Sequence, residues 1–321
     1  MVSADHLSRI KQGVELWNSW RDSDPDTQPD LSGADLSKID LASINLSNTN
    51  LQGTSMFGSN LAQSNLSGAN LSAADLSGVD LNQTNLSNAN LSQANLLGAF
   101  LSGADLTAAN LSGAVLNRAD LNDVNLQGAL LDGATLLGAE LNRANLNDAT
   151  LTRADLSRAS LENAKLNGAD LSHATLSGAR FNRASLSGAN LTGTLMEGSR
   201  LSRADLTGAN LSDANLVNAN FLGAKLASAN LSHVDLREAN LSGANLSNAV
   251  LESANIQDTN LEGANLEGVD LSVAVTGEPS AVVVDASVSQ PELEDILMTG
   301  FDTQPLPHPD LDELLAEAES K

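Results

Sequence analysis

A single spacing runs through most of this sequence. From Leu31 to Leu271 every fifth residue is large and apolar, which makes 49 such positions, and 44 of them are Leu. The five exceptions are Met56, Phe181, Met196, Phe221 and Ile256. A period of five fits neither regular element, because it advances about 500° around an α-helix and sends alternate side chains to opposite faces of a strand. The chain must therefore turn a corner every five residues.

The residues around each central position separate an inside from an outside. At the minus-two position, two places before the centre, Ala occupies 34 of the 48 positions between 34 and 269. The minus-one residue is mostly Asp or Asn, the plus-one residue is often Ser, Asn or Thr, and the plus-two residue is often Gly. Large and small inward side chains interlock at high packing density, whereas Gly, Asn and Asp suit corners. The pattern predicts an all-β solenoid whose core is the centre and minus-two rows.

The repeated A-[D/N]-L-x-x motif resembles that of the pentapeptide-repeat family. The segments SGANLSAADLSGVDL (67–81) and LSGANLSNA (241–249) match it closely. The resemblance covers residues 30–271 and implies a right-handed quadrilateral β-helix, in which four pentapeptides make one square coil. About 12 coils spaced roughly 4.8 Å apart would give a rod about 58 Å long.

The same resemblance implies two kinds of function. Some pentapeptide-repeat proteins mimic DNA and bind or protect bacterial DNA gyrase, and others have regulatory or unknown roles in cyanobacteria. The segment IKQGVELWNSWRDSDPD (10–26) is similar to the leader of many cyanobacterial members, which indicates lineage rather than activity. We expect a non-catalytic protein-interaction or regulatory scaffold, with a gyrase-binding DNA mimic as the alternative.

The first region, residues 1–29, is predicted to cover one end of the rod. An array of coils leaves an unpaired backbone edge at each end, which has to be covered. Ser3 is placed to cap a helix of about residues 4–20, and Leu7, Ile10, Val14 and Trp17 lie on one face of it. We expect this helix to close the first coil, and a partner-binding helix is the alternative.

The repeat region, residues 30–271, is followed by an acidic tail, residues 272–321. The tail holds 11 acidic residues and one basic residue. Residues 281–288 have the composition of a short strand, and 291–300 and 309–320 have helix signals. The pattern predicts a partly helical or disordered segment. Its role stays open between a cap on the last coil, a homodimer contact through the end of the rod, and a flexible acidic arm.

Composition excludes several classes of function. The formal net charge of −24 argues against direct nucleic-acid binding. With no Cys, disulfides and thiolate chemistry are excluded. No segment has the length of a membrane span or a signal peptide, so we expect a cytoplasmic protein. We find no catalytic constellation, phosphate-binding loop or clustered metal ligands, and so expect neither an enzyme nor a cofactor or metal site. The expected partner is a protein whose identity the sequence does not give.

One cluster of charge stands out against this acidic background. Nine of the 12 basic residues in 31–271 lie between Arg118 and Arg203. Folding the sequence in steps of 20 puts five of them on one side, and we call these the arginine patch: Arg143, Arg180, Arg183, Arg200 and Arg203. The patch suggests a surface for an acidic partner or an anion, and ordinary solvated surface is the alternative. Outward apolar residues in the same third, Phe100, Val115, Leu130 and Leu195, point to the same region.

Overall fold

The chain winds into a square coil. The computed structural model describes residues 3–275, and in it parallel bridges join residues 20 apart, from Asp30 with Asn50 to Asn255 with Val275. Each side of a coil contributes one bridged residue, in the minus-one row, and no longer strand occurs within 3–275. The tail elements predicted at 281–288, 291–300 and 309–320 lie outside the described residues.

Each corner is a hydrogen-bonded turn with a left-handed residue. The N–H of Ala34 donates to the carbonyl of Leu31 at 3.0 Å, and the equivalent bond recurs along the rod. All 48 plus-two residues from 33 to 268 have positive φ, and 27 of them are not Gly. Positive φ at the third turn residue is the pattern of a type II turn. A non-Gly residue there costs roughly 1 kcal/mol, so the corner favours Gly without requiring it.

The core is a stack of Leu layers separated by Ala. Centre residues such as Leu66 and minus-two residues such as Ala69 are fully buried, and Phe181 and Phe221 are accommodated in the same centre row. Burying each Leu contributes about 1.5–3 kcal/mol. Backbone bonds tie successive coils together, as where Leu66 N–H donates to Asn85 O at 2.7 Å and Asn85 N–H donates to Ser64 O at 2.9 Å.

Two short helices lie on the first coil where the sequence predicts one. Helix α1 spans Ala4–Ile10 and helix α2 spans Val14–Ser23. The prediction of a continuous helix over 4–20 is wrong because Gly13 adopts a φ of 110°, which breaks the helix before Val14. Ser3 does cap α1, since its side chain accepts the N–H of His6. A short 3₁₀ turn, Leu271–Val273, follows the last repeat. None of the helices within 3–275 is long and apolar enough to cross a bilayer.

Side chains of α2 replace the missing coil along one side of the first edge. The indole N–H of buried Trp17 donates to Asn45 O at 2.7 Å, and Asn18 accepts the Asn45 N–H at 2.8 Å. Arg21 donates to Ser47 O at 3.0 Å, and burial lowers the pKa of its guanidinium. These bonds satisfy edge groups that would otherwise remain unpaired.

Candidate interaction site

The arginine patch lies on one side of the rod. We define the arginine side as residues 40–43 and the equivalent segment of every later coil, from 60–63 to 260–263. Arg180 and Arg200 are bridged neighbours in its minus-one row. Arg183 and Arg203 are one coil apart in its plus-two row, and the Arg183 N–H donates to Ser202 O at 3.0 Å. Arg143 lies two coils before Arg183, and all five side chains are exposed.

The five guanidinium groups differ in how far they are neutralised. Arg143 Nε donates to Asp123 Oδ1 at 2.7 Å, and this hydrogen bond lowers the pKa of Asp123. Arg180 Nε lies 3.9 Å from Glu162 Oε1. Arg183, Arg200 and Arg203 have no carboxylate within 4.0 Å among residues 3–275. Three of the five are therefore available to an outside anion.

The arginine side also has an acidic half. Asp120 is bridged to Glu140 in the minus-one row, and Ser160 separates this pair from Arg180 and Arg200. Of the 45 bridges between described residues, these are the two that join like charges: Asp120 with Glu140, and Arg180 with Arg200. Both lie on the arginine side, on opposite sides of Ser160.

The minus-one Asp or Asn ordinarily has a structural task. Asp35 is typical, because its Oδ1 accepts the N–H of Ser37 at 3.0 Å and so closes an Asx turn at the corner. Hydrogen bonds from the side chain and backbone of Ser37 lower the pKa of Asp35. A coil that has another residue at minus-one lacks this acceptor for its plus-one N–H.

Seven Asn residues at plus-one supply the acceptor from the preceding coil instead. Asn122 Oδ1 accepts the N–H of Asn142 at 3.0 Å, and Asn182 Oδ1 accepts that of Ser202 at 3.2 Å. The full set, which comprises every Asn of the plus-one row, is Asn82, Asn117, Asn122, Asn142, Asn147, Asn167 and Asn182. Each bond replaces a missing Asx turn and leaves the minus-one side chain free for another use.

The coils that these Asn residues serve all lack Asp and Asn at minus-one. Their minus-one residues are Phe100, Thr135, Glu140, Ser160, Lys165, Ser185 and Arg200. Only 16 of the 49 minus-one residues from 30 to 270 are neither Asp nor Asn, so seven matches out of seven are not a chance result. Four of the seven lie on the arginine side: Phe100, Glu140, Ser160 and Arg200. Sequence reasoning missed this rule, although a spacing of 18 from a plus-one Asn would have revealed it.

The outward apolar residues do not extend the arginine patch. Phe100 (40% exposed) lies on the arginine side, whereas Leu130, Leu137 and Leu195 (42–49% exposed) lie on other sides of the coil. Scattered exposed apolar side chains are common on protein surfaces. Charge therefore characterises this site better than apolar surface does. No three His, Cys, Asp or Glu side chains within 3–275 are placed to hold a metal ion.

A family model described as pentapeptide repeats matches the chain eight times. The matched residues are 30–63, 44–83, 55–93, 84–123, 119–158, 154–193, 204–243 and 235–272. Together they cover 30–193 and 204–272 and omit 194–203. The omitted segment contains Arg200 and Arg203 of the arginine patch.

Solved structures of the same family are similar to this chain. HetL, a pentapeptide repeat protein involved in heterocyst differentiation regulation in the cyanobacterium Nostoc sp. strain PCC 7120, is 31% identical, with 84% of this chain and 98% of HetL covered and a TM-score of 0.30. Rfr23 from the cyanobacterium Cyanothece 51142 is 37% identical, with 31% and 60% covered and a TM-score of 0.23. A trypsin-treated QnrB1, a plasmid-mediated fluoroquinolone resistance protein, is 19% identical, with 67% and 91% covered and a TM-score of 0.35.

No curated protein matches the chain. The family model nevertheless accounts for most of its residues, and the identity with HetL extends over nearly all of that protein. On these grounds the chain belongs to the pentapeptide-repeat family.

Proposed function

We propose that this protein is a non-catalytic interaction scaffold that binds a protein partner through the arginine side. The observation that carries the proposal is that several minus-one residues on this side do not have to accept the plus-one N–H of their own coil in an Asx turn. Asn82, Asn122, Asn142 and Asn182 take over backbone bonds there, so that Phe100, Glu140, Ser160 and Arg200 need not be Asp or Asn. The compensation leaves the exposed side chains of Phe100, Glu140 and Arg200 free to contact a partner, whereas Ser160 is buried.

The part of the arginine side after Ser160, which carries Arg180, Arg183, Arg200 and Arg203 and which we call the basic half, suits a partner with carboxylates. Arg183, Arg200 and Arg203 are exposed on adjacent coils, and no ion pair within 3–275 occupies them. Guanidinium groups bind carboxylates through paired hydrogen bonds in a fixed geometry. Backbone bonds between coils hold the rows roughly 4.8 Å apart, which fixes the backbone positions from which these charges extend.

A regulatory role fits this kind of surface. HetL is described as involved in the regulation of heterocyst differentiation, and a rigid binding rod can act in regulation by holding another protein. We therefore extend the proposal to a regulatory scaffold in the cytoplasm of a cyanobacterium.

The arginine side weighs against the DNA-mimic alternative. A mimic needs negative charge along the surface that it presents in place of DNA, and the basic half interrupts that charge. An assay of gyrase supercoiling separates the two functions. The scaffold predicts no inhibition even at high molar excess, whereas inhibition at low micromolar protein would favour the mimic.

Affinity capture with matched variants tests the proposal. We expect Arg183→Glu with Arg203→Glu to abolish capture of the partner from a cyanobacterial lysate. The control is Arg118→Glu with Arg158→Glu, because these Arg residues are also exposed plus-two residues with positive φ but lie on the neighbouring side. Capture that survives the first pair of changes, or that is lost equally with both pairs, would contradict a binding site on the arginine side.

A further inference from the structure

We propose that the arginine side binds a second copy of this chain, packed face to face and antiparallel, with Ser160 of one copy opposite Ser160 of the other. The inference rests on the proposed function, which makes this side a contact surface, and it names the partner. Two features of the described residues carry it: the like-charged bridges and their symmetric placement about Ser160.

Each like-charged bridge brings two charges of one sign together in the isolated rod, and only part of that repulsion is relieved within the chain. The Asn122 amide donates to both Asp120 and Glu140, and Glu162 lies 3.9 Å from Arg180. Side chains directly opposite each other across a bridge interact, and like charges there are destabilising. The Asp120–Glu140 and Arg180–Arg200 bridges are the two of this kind among the bridges of the described residues. Arg183 and Arg203 add a like-charged pair of neighbouring coils in the plus-two row. An outside surface that supplies the opposite charge to both at once would remove the repulsion.

The order of the charges makes the side complementary to itself. Glu140 lies one coil before Ser160 and Arg180 lies one coil after it, whereas Asp120 and Arg200 lie two coils before and after. A two-fold axis across the rod reverses the order of coils and keeps each row opposite itself. Glu140 then faces Arg180 of the second copy and Asp120 faces Arg200, and symmetry makes each pair twice.

The plus-two row adds one favourable and one unfavourable pairing. The same rotation sets Asp123 opposite Arg203, and Arg143 opposite Arg183. The second pairing is repulsive, although Arg143 already bonds Asp123 in its own chain. In the plus-one row, the same rotation sets Glu162 opposite Glu162 of the second copy, which is a further repulsive pair. The three kinds of attractive pair, Glu140–Arg180, Asp120–Arg200 and Asp123–Arg203, outnumber these two.

The surface near the axis allows close approach. Ser160 is 3% exposed, and its hydroxyl donates to Asn142 Oδ1 at 2.6 Å, so it does not hold the copies apart. Gly103 and Gly223 lie three coils on either side and face each other across the axis. Because Ser160 is near the middle of the repeat region, the two rods overlap along most of their length. A side about 58 Å long and about 12 Å wide supplies on the order of 700 Å² per copy, near the roughly 800 Å² of a standard interface.

Charge-swap variants of the full chain test the pairing. The first variant, Asp120→Asn with Glu140→Lys, removes the acidic half, and the second, Arg180→Glu with Arg200→Glu, reverses the basic half. Asn at position 120 can still accept the N–H of Asn122 in an Asx turn. The N–H groups of Asn142 and Ser202 donate to Asn122 and Asn182, so these bonds do not depend on the residue at 140 or 200. The backbone should therefore tolerate both variants, and circular dichroism and the melting temperature check this.

The measurement is molar mass by sedimentation equilibrium at low salt. The wild-type chain should reach twice its 33.1 kDa, and each variant alone should dimerise at least about tenfold more weakly, because close charge pairs contribute strongly to such interfaces. An equimolar mixture of the two variants should form a 1:1 complex, since one copy then presents a basic side and the other an acidic side. Added salt should weaken both complexes.

Each other outcome overturns the inference. A wild-type chain that stays monomeric does so, and if that chain still captures a protein through Arg183 and Arg203, the proposed function survives alone. Dimers unaffected by either variant would place the contact away from the arginine side. If the wild-type chain is a monomer and only the basic-half variant, Arg180→Glu with Arg200→Glu, changes its sedimentation, the result would indicate that the acidic tail, residues 272–321, occupies the basic half. A wild-type chain that neither dimerises nor captures a protein would overturn both proposals.

Discussion

The middle of the repeat region and its two flanks share a backbone but differ in their outer surface. From 100 to 200, 13 of 21 minus-one residues are neither Asp nor Asn, whereas only 3 of 28 differ in 30–95 and 205–270 together. The plus-two φ is nevertheless the same in both, 62° at Gly53 and 59° at Arg183, and the bridges continue without a break from Asp30 to Asn265. The difference shows that a coil can keep its bridges while its outward residue changes. For seven of these 13 residues a plus-one Asn of the preceding coil supplies the missing acceptor, and the other six keep their bridges without one.

The largest expected effect tests whether the two regions share one kind of core. Leu71 in a flank and Leu156 in the middle are both fully buried centre residues. Leu71→Ala and Leu156→Ala should each lower the free energy of unfolding by about 2–5 kcal/mol, because each leaves a cavity in a close-packed layer. Urea unfolding of the two variants measures this. A much smaller loss at Leu156 would mean that the middle is less tightly packed.

The second prediction breaks the compensation that distinguishes the middle. Asn182→Ala removes the acceptor of the Ser202 N–H and should cost about 1 kcal/mol. Adding Arg200→Asn should restore the stability, because an Asn at minus-one can accept the same N–H as an Asx turn. A double-mutant cycle from urea unfolding measures the coupling. Simple additivity of the two changes would contradict the compensation rule.

The third prediction exchanges corner residues between the regions. Arg183→Gly relieves a non-Gly residue of positive φ and should raise the stability by roughly 0.5–1 kcal/mol. Gly53→Arg should lower it by a similar amount, since the Gly53 corner has the same φ and open space around it. Thermal unfolding of both variants checks the signs. A loss of stability in Arg183→Gly would show that the Arg183 side chain itself stabilises the coil.

The smallest effect concerns the pKa of two carboxyl groups. A side-chain hydrogen bond from Arg143 lowers the pKa of Asp123 in the middle, whereas hydrogen bonds from Ser37 lower that of Asp35 in a flank. Arg143→Gln should raise the Asp123 pKa towards the ordinary value of an Asp carboxyl group and leave the pKa of Asp35 unchanged. Because the folded-state pKa of Asp123 is depressed, the pair contributes stability above the unfolded-state pKa and loses it as the pH falls through the folded-state value. NMR titration of the carboxyl groups reports both values.

The sequence predicts much of this fold because its rows repeat without a slip. An inward Leu every five residues and a coil of four such units are enough to place Arg180 beside Arg200 and Arg183 beside Arg203. The break at Gly13 was not anticipated, because Leu7, Ile10, Val14 and Trp17 keep helical spacing across it. Here the conformational freedom of one Gly outweighed the apolar pattern.

The candidate site was only partly accessible from the sequence. Folding the sequence in steps of 20 places Asp123 beside Arg143 and Asn163 beside Arg183. Only the structure shows that Arg143 Nε bonds Asp123 and that Arg183 has no carboxylate within 4.0 Å among residues 3–275. The pairing of a plus-one Asn with a minus-one residue 18 positions later that is neither Asp nor Asn can be found in the sequence. It is not visible within either row alone, because the hydrogen bond joins a plus-one Asn to the plus-one N–H of the next coil.

Because each coil has four sides, the effect of an insertion or deletion depends on how many five-residue units it adds or removes. A deletion of five residues between Ser160 and Arg180 would keep every Leu inward, although it would break at least one of the hydrogen bonds that Asn147 and Asn167 make with the next coil. It would nevertheless turn the rest of the chain by one side, so that Arg180 and Arg200 no longer shared a surface with Asp120 and Glu140. Only the gain or loss of a whole coil preserves the sides, and even that would alter the distances from Ser160. Insertions and deletions of five residues would thus change which outward residues share a surface while the Leu core persists.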